Sequence, residues 1–518
     1  MKKASRILSL VLAIIMLMST ASIAMAESLN LAQLPLTAEE GAKVSILGMN
    51  SWYSTVDLTD ALLIKELASR AGVTIDWTLI DPTVYSDSVS PMLASGKDLP
   101  DILEMPDLDL NMDYLKSGMV EPLDTHFDLM PNYVAFLEKN PTIKAMLTAD
   151  DGHIYYVPQT AVTHNYQPVM MYNMPWLEKL GIEAPTTLDA FVEYLRAIKG
   201  ADLNGNGQDD EIPMSVQSAF LPYMFAPAFG LDLVSGFYAD DAGVVHYAAY
   251  EKDAYKAYLK FLHGLYEEGL LETEFTSLNR DQITSRCAND QTGVTFDYSW
   301  QMSNLYSAQY PNYDPKAGGI ICGAAPLSGE HEGFYVARNP VTGIFGINAK
   351  SANKELAIKF LDYAMSEEAQ DLYVWGMEGL TYEYDEAGNR YYLPRCTEDT
   401  IWYQGLGINA PNMPSQQSTP ATDVLLPAWH VQNDRTYEEP YMRNPFPTVY
   451  STPEEANVVS MYMVDIQTYV DERAVAFICG YADIDAEFDS YIATLESMQI
   501  GELLKVRQAQ YDRFASAL

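Results

Sequence analysis

The sequence predicts an α/β chain folded as two lobes. Three observations carry this: the chain opens as strand, helix, strand; amphipathic helices recur to its end; and 518 residues with 48% apolar and 12% aromatic content exceed one core. A single hydrophobic core stops growing at about 250–300 residues, so a chain of this length divides.

Val44 to Leu47 reads as the first strand and Leu62 to Ala71 as the helix after it. Val73, Ile75, Trp77 and Leu79 then alternate with Thr74, Asp76 and Thr78, the period of two of a strand with one buried face. Another helix and a third short strand, Ile102 to Glu104, complete a parallel α/β start. Trp176, Leu177 and Leu180 share one helical face, so Trp176, like Trp77, is assigned to core. Tyr255, Tyr258, Leu259, Leu262, Leu265 and Tyr266 mark a long helix, and KELAIKFLDYAM another. TYEYDEAGNRYYL reads as a hairpin turning at Asp385 to Asn389. From Thr397 to Pro453 the sequence is rich in Pro, Asn and Trp, which predicts long ordered loops before a helical C-terminus ending in VRQAQYDRFASAL.

Residues 1–26 carry Lys2, Lys3 and Arg6, then an apolar run from Ile7 to Met18, then Ala24, Met25 and Ala26, the pattern of a secretory leader cut before Glu27. Export to a periplasm or cell surface is expected, with no anchor through an N-terminal Cys, since the first Cys is Cys287. Acidic residues outnumber basic ones 71 to 31, a net charge of −40, which excludes nucleic acid and anionic membrane as natural partners. Cys287, Cys322, Cys396 and Cys479 form no C-x-x-C pair, so neither a zinc knuckle nor a thioredoxin-like site is expected, while disulfides stay open.

Four segments in order carry a family likeness: ASGKDLPDILEM from Ala94, DGHIYYVPQT from Asp151, WLEKLGIEAPTTLDAFVEYLRAIK from Trp176, and GIFGINAKSANKELAIKFLDYAMSEEAQ from Gly343. Together they resemble the extracellular solute-binding proteins, family 1, that deliver sugars to bacterial ABC importers. The resemblance implies a two-lobed, periplasmic-binding-protein-like fold with a hinge and a loop-rich, helical C-terminal region. One lobe would take residues 42–159 plus 326–366, and the other 160–325 plus 367–518. It implies a carbohydrate ligand, an oligosaccharide, in the inter-lobe cleft, membrane permease subunits as partners, a monomer, and no catalysis. Where relatives place Arg and Asp before the Trp-Leu pair, this chain has Tyr172, Asn173, Met174 and Pro175, so contacts of that Arg do not carry over.

The stretch DLNGNGQDDEIP places oxygen donors at Asp202, Asn204 and Asn206, a backbone carbonyl at Gln208, and carboxylates at Asp210 and Glu211. Positions 1, 3, 5, 7 and 9 follow the spacing of a calcium-binding EF-hand loop, and hard oxygen ligands suit calcium. Position 12, a bidentate Glu in an EF-hand, is Pro213, and Glu211 stands in, an arrangement similar to the calcium loop of the alginate-binding relatives. The alternative is an Asn/Asp/Gly turn that needs no ion.

A sugar site needs aromatic platforms and planar polar groups, and in parallel α/β lobes ligands bind beyond the carboxyl ends of strands. Trp52 and Tyr53 follow the first strand, Glu104 ends the third, and Tyr298 and Trp300 follow the apolar run Val294 to Phe296. Trp375, Glu378, Trp402 and Trp429 lie in or beside loop-rich sequence and complete the candidate set, with inter-loop packing the competing assignment for each Trp. The second function class is a secreted glycoside hydrolase or polysaccharide lyase using two carboxylates. No H-E-x-x-H, G-x-S-x-G or phosphate loop is present, and a surface adhesin would carry repeats, which are absent.

Overall fold

The computed structural model describes residues 34–50, 56–106, 114–115, 117–160, 168–303, 321–407, 412–416, 419–426 and 428–518. The leader expected over 1–26 lies outside them. The chain separates into two compact units. The described residues of Met1–Leu108, Asp113–Thr160 and Val341–Gln417 form the first, and those of Ala161–Pro340 and Ser418–Leu518 the second.

The first unit is built on a six-stranded sheet. β1 (Lys43–Met49) lies between β2 (Thr74–Ile80) and β3 (Ile102–Glu104), parallel to both. β12 (Val341–Ile347) runs antiparallel between β3 and β4 (Tyr156–Thr160), and β15 (Ser415–Gln416) adds to β4. Helix α1 (Leu62–Ala71) buries Leu63, Ile64 and Leu67 and ends at Gly72, whose φ of +73° suits the left-handed cap. Asp101 of the DLPD segment ties three elements together. One carboxylate oxygen accepts the Ser45 N–H at 2.9 Å and its hydroxyl at 2.7 Å, and the other accepts the Ser351 hydroxyl at 2.5 Å. In α3 (Pro131–Lys139) the first turn is capped from α7 (Lys354–Ala364), where the buried Asp362 accepts Tyr133 N–H at 2.9 Å and the Asn132 amide at 2.8 Å.

The expected division closed the first lobe at 366 and assigned the rest of the chain to the second. The structure moves that boundary, because α8 (Glu367–Val374) packs on α1, with Arg70 meeting Glu368 at 3.0 Å, and β15 extends the first sheet. Residues 326–340, by contrast, belong to the second unit, where β11 (Tyr335–Val336) pairs with β16 (Met442–Arg443). The hairpin forms as expected, from β13 (Tyr382–Tyr384) and β14 (Arg390–Tyr392). Between 397 and 453 the chain is more helical than its composition suggested, including Thr400–Gly405, which Asp399 caps, and α9 (Ala428–Tyr437). Trp77 is half-buried because β2 is an edge strand, and its ring packs where a Cβ on Gly48 would come within 3.2 Å.

The second unit has a four-stranded sheet in the order β10 (Ile321–Gly323), β5 (Pro168–Asn173), β9 (Thr292–Tyr298), β6 (Ile212–Met214). A second hairpin, β7 (Phe237–Ala239) and β8 (Val245–Tyr247), lies apart from it. Its core gathers Trp176 of α4 (Met174–Leu180), Phe191, Tyr194 and Leu195 of α5 (Leu188–Ile198), and the apolar face of α6 (Lys252–Glu267). Three C-terminal helices close it: α10 (Pro453–Ile478), α11 (Ile484–Ser497) and α12 (Ile500–Ala517). Thr452 and Glu455 form a capping box on α10, and Arg513 of α12 grips the same Glu455 with two contacts, at 2.7 and 2.6 Å. Cys396 and Cys479 are free thiols, and Cys287 is fully buried. Among the described residues, no helix is long and apolar enough to cross a membrane.

Candidate functional site

In the first unit, β3 delivers Glu104 to the carboxyl end of the parallel strands, where it is 3% exposed. Its Oε2 accepts the Met49 N–H at the end of β1, at 2.6 Å, and the Tyr85 hydroxyl donates to its backbone carbonyl at 2.9 Å. Burial pushes the Glu104 carboxyl up to about 8, against the opposing pull of the Met49 N–H. From the late segment, the Asn412 amide donates to the carbonyls of Met49 at 2.9 Å and Asn50 at 3.1 Å. Asn412 holds a φ of +39°, a region that Asn visits more readily than most side chains. Trp52 and Tyr53, which continue from Asn50, lie outside the described residues.

The other candidates of this unit are spread apart. Trp375 is buried beneath the hairpin, stacked on Tyr392 at 4.9 Å, with the Arg390 guanidinium 5.6 Å from its ring centre and itself clamped by Asp371. Its ring is thus taken up in packing. Glu378 is exposed on the turn leading into β13, and half-buried Trp402 carries Arg395 over its ring at 4.0 Å.

In the second unit, β9 ends on Tyr298. Arg280 grips the buried Asp297 through two 2.8 Å hydrogen bonds, and its guanidinium lies 5.8 Å from the Tyr298 ring centre, while Phe220 meets that ring edge-on at 6.0 Å. Trp300 sits in the 3-10 turn Ser299–Ser303 that follows directly, its side chain outside what is described. Trp429 lies on α9, half-buried against the unit's core and stacked on His430 at 5.4 Å.

The loop beginning at Asp202 is tightly wound by its own side chains. Asp202 accepts the Gly207 N–H at 3.1 Å, Asn204 the Asn206 N–H at 3.0 Å, and Asn206 the Gln208 N–H at 2.7 Å. Hydrogen bonds from the Gln291 and then the Asn204 amides hold the Asp210 carboxyl below its ordinary range. Glu211 is 8% exposed; its Oε1 accepts the N–H groups of Leu203 and Asn204, while its Oε2 is buried with no hydrogen-bond partner. An orphaned buried carboxylate oxygen beside an all-oxygen donor set fits a hard cation. Among the described residues no three His, Cys, Asp or Glu side chains converge as a cage, so a cation here also needs the amide and backbone oxygens.

Residues 55–371 match the family model of the bacterial extracellular solute-binding proteins. The chain belongs to this family. As a solute-binding protein it is a receptor and not an enzyme. It is 28% identical over 509 residues, 92% of this chain and 91% of the relative, to the fructooligosaccharide ABC transporter substrate-binding protein FusA of Streptococcus pneumoniae. The solved structure of FusA with kestose superposes with a TM-score of 0.72 at 26% identity, covering 92% of this chain and 99% of that one, and an EF-hand mutant of FusA with fructo-nystose does so equally. The alginate-binding protein AlgQ2, solved without calcium ion, shares the fold at a TM-score of 0.74 and 22% identity, with 92% and 99% covered.

Sequence reasoning named Glu104 but missed Asn412, which holds the carbonyls of Met49 and Asn50 and whose distance along the chain hides those contacts; an Asn-Met-Pro turn was the one available signal. It named Tyr298 and missed Arg280, which helical propensity alone assigns to a surface. Glu104→Gln is expected to flatten the pH dependence of the first unit. The folded state holds the Glu104 proton up to about 8, against about 4.3 in an unfolded chain, so this contribution to stability is complete below about pH 4 and lost as pH rises through 8. Gln keeps an acceptor for Met49. Thermal midpoints at pH 5 and pH 9 check this, and an equal alkaline drop in parent and variant counts against it.

Proposed function

We propose that this protein is the substrate-binding component of an ABC importer and that its ligand is a neutral oligosaccharide of the fructooligosaccharide class. The observation that carries this reading is the 28% identity with FusA along 92% of the chain. The net charge of −40 supports a neutral sugar, since a polyanionic one would be repelled at long range. Contacts would come from Trp52, Tyr53, Glu104, Glu378 and Trp402 of the first unit and from Tyr298, Trp300 and Trp429 of the second, with Trp375 left to packing. Closure on the sugar would present the loaded form to the permease.

The loop Asp202, Asn204, Asn206, Gln208, Asp210 and Glu211 would hold a structural calcium ion, with Glu211 Oε2 among its donors. Calcium supplies the positive charge that lets these carboxylates share one turn. The chain would be exported on its leader, to a periplasm or cell surface, and act as a monomer. The test is the thermal midpoint of residues 27–518 in calcium against kestose, nystose, alginate and galacturonate oligosaccharides, with product analysis. A ligand at a hundred times its Kd stabilises by about 2.7 kcal/mol. A selective rise with kestose or nystose is expected, and shortened sugars in the mixture would revive the hydrolase reading.

A further inference from the structure

The carboxyl end of β9 is gripped by a side chain from a neighbouring helix. Arg280 is the first residue of the helix Arg280–Ala288, and a capping box fixes that helix at its start. The Asn279 side chain accepts the Gln282 N–H and the Gln282 side chain accepts the Asn279 N–H, both at 3.0 Å. From this mount the Arg280 guanidinium donates through Nε and Nη2 to the two carboxylate oxygens of Asp297, each at 2.8 Å. Asp297 is 5% exposed, so the fork closes on a carboxylate already withdrawn from water. Its Oδ1 also accepts the N–H of Tyr298 at 2.8 Å.

The same guanidinium lies over the Tyr298 ring, 5.8 Å from its centre. Successive residues of a strand point to opposite faces of the sheet, so a group that meets both Asp297 and Tyr298 wraps the edge of the strand. β6 pairs with β9 from Thr292 to Val294, while β5 follows the opposite edge as far as Tyr298. Arg280 thus stands where β6 has stopped, over the last residues of β9. Phe220 meets the Tyr298 ring at 6.0 Å and 85°. The tyrosine is therefore held at its backbone N–H, by a cation over its ring and by an aromatic edge, and it remains half-exposed.

A ring can receive the apolar face of a sugar only in a narrow range of orientations. A tyrosine at a strand end turns about two side-chain torsions, and fixing them before the ligand arrives removes an ordering cost from binding. We infer that Arg280 is a positioning residue for ligand binding: by clamping Asp297 and lying over Tyr298, it presets the Tyr298 ring as a platform for the apolar face of a neutral sugar. This rests on the proposed reading of Tyr298 as a sugar contact and adds what sets its geometry. Lysine cannot take the place of Arg280, since an ammonium is a point charge without the planar fork that holds both carboxylate oxygens or the flat face that covers a ring.

The experiment is a double-mutant cycle. Kestose affinity is measured by titration calorimetry, in calcium, on the mature chain, on Tyr298→Leu, on Arg280→Lys and on the two combined. Arg280→Lys should weaken binding at least fivefold, and Tyr298→Leu at least as much. Added to Tyr298→Leu, Arg280→Lys should change the affinity less than twofold, because its effect passes through the ring. A pair that serves stability alone would lower the thermal midpoint of Arg280→Lys and leave its Kd unchanged, which overturns the inference. A fivefold loss that persists in the Tyr298→Leu background also overturns it, and makes Arg280 a sugar contact in its own right. Failure of the underlying reading looks different, and the inference falls with it: either the parent binds neither kestose nor nystose, or Tyr298→Leu binds kestose as the parent does. Should Arg280→Lys not fold, Arg280→Met combined with Asp297→Asn replaces the pair without leaving a buried charge alone and enters the same cycle with the same outcomes.

Discussion

Trp176→Ala is expected to lower the stability of the second unit by about 3–5 kcal/mol, the range for removing a large aromatic side chain from a core. Trp176 is fully buried, and the chain has built around it. The Asn173 side chain caps α4 by accepting the Trp176 N–H at 3.3 Å, and a Cβ on Gly293 of β9 would lie 3.3 Å from the ring and 2.3 Å from Ile198. Backbone and indole therefore approach as closely as glycine allows, and the vacated volume cannot be refilled by small shifts. Calorimetry should show the second unit's transition falling while the first unit's holds. An unchanged transition with lost kestose binding would instead make Trp176 a ligand contact.

Removing calcium is the second large effect. With free calcium at a hundred times its Kd, chelation should withdraw about 2.7 kcal/mol from the folded state. Glu211→Gln isolates the carboxylate, because Gln can still accept the two N–H groups that Glu211 Oε1 now takes from Leu203 and Asn204. The variant should melt below the calcium-loaded parent and no longer respond to chelator. Identical melting of the parent with and without chelator would return the loop to an Asn/Asp/Gly turn.

The legible parts of this protein were those fixed by neighbours in sequence. The alternation around Trp77 located β2, the spacing from Tyr255 to Tyr266 located α6, and Asp385 to Asn389 marked the hairpin turn. Contacts closed over long separations were not legible. Nothing local in Asn412 announces that its amide will hold Met49 and Asn50, nor in Glu368 that it will meet Arg70 and draw α8 into the first unit. Trp375 shows the same limit for site residues. A loop tryptophan is equally a platform or a core piece until the stack with Tyr392 and the Arg390 cap are seen.

The position of β12 has a consequence for how the molecule is made. Ile347 pairs with Ile102 and Phe345 with both Glu104 and Val157, so the first sheet is joined in its middle by a strand synthesised long after its neighbours. At about 5–20 residues per second, a ribosome needs roughly ten to forty seconds to travel from β4 to β12. Throughout that interval β3 and β4 present unpaired edges, which are templates for association with other chains. The unit begun first is thus completed late, and a nascent chain stopped before Val341 would be expected to need a holding chaperone.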